Sequence, residues 1–73
     1  MSQATTEHLV RMANQIAANL AAQGEAVAVR ETATHIARFW DPRMKAALLG
    51  GDHPDLAPIA RAAVDQLRAG RSQ

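Results

Sequence analysis

Apolar residues recur at helical spacing along most of this chain. Leu9, Met12, Ala13, Ile16 and Leu20 fall on one stripe of a first segment, while Arg11, Asn14, Gln15 and Asn19 lie around the rest. Thr5 offers a hydroxyl for the start and Gly24 a stop, so the pattern predicts a helix over about residues 6–22. A second stripe runs through Val29, Ala33, Ile36 and Trp40. Glu25 near its start and Arg38 near its end both suit the helix dipole, and this predicts a second helix over about 25–40.

Pro42 dictates what comes next. A residue that precedes proline is pushed out of helical geometry, so Asp41 should end the second helix. Asp followed by Pro is also a favoured cap and first-turn pair, which predicts a short third helix over 42–49, closed by Gly50-Gly51. In the loop G-G-D-H-P-D, Asp55 is the expected cap, with Pro58 in the first turn of a last helix over about 56–69. Leu56, Ile59, Ala60, Ala63, Val64 and Leu67 form its apolar stripe, and Arg61, Asp65 and Arg68 its expected outward face. Residues 1–4 and 70–73 are expected as tails. No strand-period alternation or internal repeat interrupts the pattern. The fold class is therefore all-α: a small bundle of three principal helices plus one short helix after Asp41, in a single domain over 1–73.

Composition changes this picture in one respect. Ordering each residue costs about 1.5 kcal/mol, against about 25 cal/mol returned per Å² of apolar area, so a chain of this length is marginal. Much of the 48% hydrophobic content is Ala, which favours helix but brings little area to bury. A thin core that gains from a partner is expected. The formal net charge of +1 supplies no single-sign field for nucleic acid or an anionic membrane surface. The opening residues lack a basic start and an apolar run, and no segment approaches the roughly 20 apolar residues that span a bilayer. A soluble, intracellular protein is the expectation.

Candidate chemistry is sparse. Without Cys, thiolate nucleophiles, disulfides and Cys-based metal or iron-sulfur sites are excluded. His8, His35 and His53 sit on three different elements, with no pair spaced to seat a metal on one helix face. Asp41, Asp52 and Asp55 all flank Pro or Gly, where a short acid caps a helix. Ser2 and Ser72 lie near the ends, and no glycine-rich phosphate loop occurs. No catalytic, cofactor-binding or metal-binding residue is expected.

The stretch HIARFWDPRM, residues 35–44, is different in kind. Neighbouring residues on a helix point about 100° apart, so Phe39 and Trp40 cannot both face a small core. The plain reading has Trp40 closing the bundle end and Phe39 covering the start of the third helix. The sharper reading makes Phe39, Trp40, Arg43 and Met44 a docking corner made rigid by Asp41 and Pro42, because Trp and Arg are enriched in binding hot spots. Arg11, Asn14 and Gln15 are either a solvated flank or a set of donors and amides that dock on a partner's backbone.

Two blocks together, LVRMANQIAANL at 9–20 and HIARFWDPRM at 35–44, resemble the delta subunit of the cytoplasmic, NAD-dependent, molybdenum-containing formate dehydrogenases. The resemblance spans most of residues 9–49, and the last helix matches only in length and pattern. It implies a small helical subunit, free of redox centres, in a complex whose catalytic alpha subunit carries molybdopterin while other subunits carry iron-sulfur clusters, FMN and NAD. It further implies a noncatalytic accessory role in assembly, cofactor insertion or stability, with formate oxidised to carbon dioxide elsewhere. Leu20 stands where relatives often carry an aromatic, which makes that contact less bulky. Lys45 stands where Arg is common, keeping the charge but losing bidentate geometry. With its partner missing, an Ala-rich bundle with exposed aromatics is expected to self-associate.

The rival reading is a small helix-turn-helix nucleic-acid binder built on the second and third helices. Its weakness is charge, since duplex binding rests on several phosphate contacts and the basic residues here are dispersed among acids.

Overall fold

The computed structural model describes residues 2–71 and contains, among them, α1 (Ser2–Leu20), α2 (Glu25–Phe39), α3 (Pro42–Leu49) and α4 (Pro58–Arg71), with no strand. The all-α class follows directly. α1 begins before Thr5, which lies inside the helix instead of capping it. At its other end the chain tightens into a 3₁₀ turn at Ala21–Gln23 and stops at Gly24. Gly24 sits at φ 103°, ψ 148°, a region only glycine enters without strain. Its N–H closes the turn on Ala21 O (3.1 Å) while its carbonyl opens α2 by accepting from Ala28 N (2.8 Å). One residue thus ends one helix and starts the next.

α4 departs from expectation at both ends. Leu56 and Ala57 precede the helix, which starts at Pro58, and the Ala57 carbonyl accepts its first hydrogen bond, from Arg61 N (2.8 Å). Ala57 therefore holds the cap position expected of Asp55. Proline at the first helical position has no N–H to leave unpaired, which is why the helix begins there. α4 also continues through Gly70 to Arg71, and Ser72 and Gln73 lie outside the described residues.

The core cluster takes Leu9, Val10, Ala13 and Ala17 from α1, Ile36 from α2, Trp40 after it, Leu48 and Leu49 from α3, then Leu56, Ala60 and Val64. Val10 and Ala17 lie deeper than the Met12 and Ile16 of the expected stripe, because α1 touches α2, α3 and α4 and is covered over more than one stripe's width. α2 and α4 share the most extensive helix pairing, and their buried Ala28, Ala33, Ala60 and Ala63 are small enough for close approach. Thr32 is buried with them, and its hydroxyl has no hydrogen-bond partner. The core is thin, as the Ala content suggests: among the described residues the large aliphatic side chains less than 2% exposed are Ile36, Leu48 and Val64. The Cα radius of gyration is nevertheless 11.3 Å, matching the roughly 11 Å expected of a folded chain this long.

Candidate docking site at the helix junctions

The corner between α2 and α3 is built from two extended residues. Trp40 (φ −86°, ψ 137°) donates its N–H to Ile36 O at 3.1 Å, completing α2. Asp41 (φ −71°, ψ 164°) caps α3, its Oδ1 accepting from Met44 N at 2.8 Å, and Pro42 is the first helical residue. This is the Asp-Pro start that the sequence implies.

The two aromatics then part company. Trp40 is 5% exposed and belongs to the core cluster with Leu48 and Leu49, so the expectation that it is presented at a docking corner is corrected: it closes the bundle end. It keeps to the buried face that Ala33 and Ile36 begin. Phe39 is 73% exposed, the one large hydrophobic side chain so exposed among the described residues. It does not cover α3. Its ring lies 4.9 Å from that of His35, tilted by 42°, one turn earlier on α2. Phe39, His35, Arg38, Thr34 and Glu31 line a shallow hollow with Leu20 at the end of α1. Arg43 is exposed at the start of α3, while Met44 is half-buried against the core.

The polar flank of α1 also divides. Asn14 docks on backbone, as the sharper reading requires, but on this chain's own. Its Nδ2 donates to Asp55 O (3.0 Å) and its Oδ1 accepts from Ala57 N (2.8 Å), so one amide clamps the segment leading into α4. Gln15 Nε2 donates to Asn19 Oδ1 one turn on (3.2 Å), and Arg11 is exposed.

Sequence reasoning missed the other half of this clamp. Arg61 and Arg68, expected to face outward, are half-buried and reach back over the α3–α4 loop. Arg61 Nη2 donates to His53 O (2.9 Å); Arg68 donates through Nε to Leu49 O (3.1 Å) and through Nη2 to Gly51 O (2.6 Å). His53 Nε2 donates to Leu48 O at 2.9 Å. The last two carbonyls of α3, at Leu48 and Leu49, are thus satisfied by an imidazole and a guanidinium from beyond the helix, while the loop carbonyls of Gly51 and His53 take the remaining guanidinium bonds. Lys45 Nζ similarly donates to Ala37 O (3.1 Å). Basic groups occupied in this way do not form a phosphate-binding face, so the nucleic-acid reading gains nothing from the fold.

Among the described residues no group of three or more His, Cys, Asp or Glu is placed to hold a metal, and no helix is long and apolar enough to cross a membrane. What the geometry defines is a small helical scaffold with one exposed aromatic edge. The sequence profile of the NADH-dependent formate dehydrogenase delta subunit FdsD matches residues 8–64, and the chain belongs to that family. The match runs beyond the two blocks quoted above, through the clamped loop and into the first half of α4. No curated protein and no solved structure matches the chain.

Proposed function

We propose that this chain is a noncatalytic accessory subunit that docks on the catalytic alpha subunit of an NAD-linked formate dehydrogenase in the cytoplasm and supports its assembly, cofactor insertion or stability. The observation that carries this reading is family membership over residues 8–64, a span that includes α2, α3, both junctions after them and most of α1. Formate oxidation and the molybdopterin, iron-sulfur, FMN and NAD groups belong, on this reading, to the partner subunits. The candidate contacts are Phe39 and Arg43 at the corner and Arg11 and Gln15 on α1. Asn14, Trp40 and Met44 serve instead by holding that surface in shape.

The test is to express the other subunits with and without this chain, tagged, and to measure co-purification, molybdenum per catalytic subunit and formate-dependent NAD reduction. The tagged chain is expected to bring the molybdoenzyme with it, and its omission to lower molybdenum content or the lifetime of activity. Failure to co-purify would overturn the proposal, as would stoichiometric molybdenum, iron or zinc in the chain alone.

A further inference from the structure

We infer that the exposed end of α2, Phe39 with His35 and Arg38, together with Arg43 at the start of α3, is a docking surface for an apolar socket rimmed by carboxylates on a partner subunit. This rests on the accessory-subunit reading and adds the chemistry of the partner's surface. Three observations support it.

The first is Phe39 itself. A ring left 73% exposed forgoes most of what burial of such a side chain returns, in a bundle whose own core is thin. The ring lies against that of His35, 4.9 Å away and tilted by 42°, which adds a second ring to the exposed edge. Aromatic rings at the centre of an interface are the usual anchors of binding energy.

The second is the charge around it. Arg30, Arg38 and Arg43 stand against Glu31 and Asp41, three positive charges to two negative. Glu31 meets Arg30 at 3.7 Å, and the Asp41 carboxylate accepts from the Met44 N–H. Arg38 and Arg43 are exposed and carry no ion pair among the described residues. The uncompensated charge at this edge is therefore positive, and the complementary rim is acidic.

The third is shape. Leu20, Thr34, His35 and Phe39 surround a shallow hollow of about 240 Å³ beside the ring, room for one or two side chains of the opposing surface. The position of Leu20 ties the end of α1 to this patch, a juxtaposition that no local pattern in the sequence announces.

The experiment measures the affinity of the delta chain for the formate dehydrogenase complex prepared without it, at low and at moderate salt. It uses the wild-type chain, Phe39→Ala, Arg38→Glu/Arg43→Glu and, as an added negative charge on α4, Gln66→Glu. All the substituted residues are exposed, and thermal melts confirm that each variant folds. Phe39→Ala is expected to weaken binding about tenfold or more. The double reversal is expected to weaken it and to abolish the salt dependence shown by wild type, while Gln66→Glu stays within about twofold of wild type, as charges away from an interface do.

Wild-type binding that neither corner variant changes would overturn the inference and leave the accessory-subunit reading standing. Loss on Gln66→Glu alone would do the same. Loss on Phe39→Ala with no effect of the double reversal would overturn the acidic rim. If Phe39→Ala abolishes self-association of the isolated chain yet leaves complex affinity intact, the occupant is a second copy and the inference is wrong. A wild-type chain that does not bind the complex at all would sink the functional reading, and this inference with it.

Discussion

The two junctions that flank α3 are opposites in construction. Between α2 and α3 the turn is two residues long, and neighbours in sequence do the work: Asp41 caps, Pro42 starts, Trp40 fills the core beneath. Between α3 and α4 the loop spans residues 50–57 and is held from far away, by Asn14 on α1 and by Arg61 and Arg68 on α4. The first is a locally encoded corner. The second exists only once three helices have met. The difference explains why the short corner presents a fixed exposed edge beside Phe39, while the longer loop consumes polar side chains that otherwise read as a binding face.

Truncation at each junction tests that contrast, and the largest effect belongs to the corner's buried half. Trp40→Ala removes the bulkiest side chain of a thin core and is expected to destabilise the chain by about 3–5 kcal/mol, enough to leave the isolated protein largely unfolded in a thermal or urea melt. A melt within about 1 kcal/mol of wild type would show that Trp40 is not a core residue. Asn14→Ala comes next. It deletes two hydrogen bonds to the loop and leaves the Ala57 N–H without its acceptor, an expected loss of about 2 kcal/mol. Amide exchange should accelerate at Ala57 before it does in α2, and uniform acceleration would contradict a local clamp.

Asp41→Ala is expected to cost about 1 kcal/mol through loss of the bond to Met44 N, with the exchange effect confined to the first turn of α3. Phe39→Ala is the smallest in stability, within about 0.5 kcal/mol, because the ring is largely exposed. Its effect belongs to binding instead. A large stability loss at Phe39 would place the ring in the core and erase the contrast between the two aromatics.

How far the sequence could be read varies with the range of the interaction. Helix-period stripes, Gly24 and the Asp41-Pro42 step were legible because each acts within about one turn of chain. The orientation of the aromatics was only half legible: the helical stripe sets Trp40, and not Phe39, in line with Ala33 and Ile36, but that Trp40 is enclosed and not presented at the corner depends on its packing with Leu48 and Leu49. Asn14, Arg61 and Arg68 were misread as solvent-facing or partner-facing because their acceptors lie 41, 8, 17 and 19 residues away. A polar residue on a helix flank looks the same in sequence whether it meets water, another protein or its own loop.

The sequence by itself determined that this protein is helical, where most of its helices stop, and, through two short blocks, the family to which it belongs. The tertiary structure alone decided that Trp40 is enclosed and not presented, which amides and guanidinium groups are occupied at home, and therefore which surface is left over for another subunit. The reason is physical. Helix propensity, capping and proline geometry act on adjacent residues, whereas the burial of a ring or the pairing of a carbonyl depends on groups that only folding brings within a few ångströms.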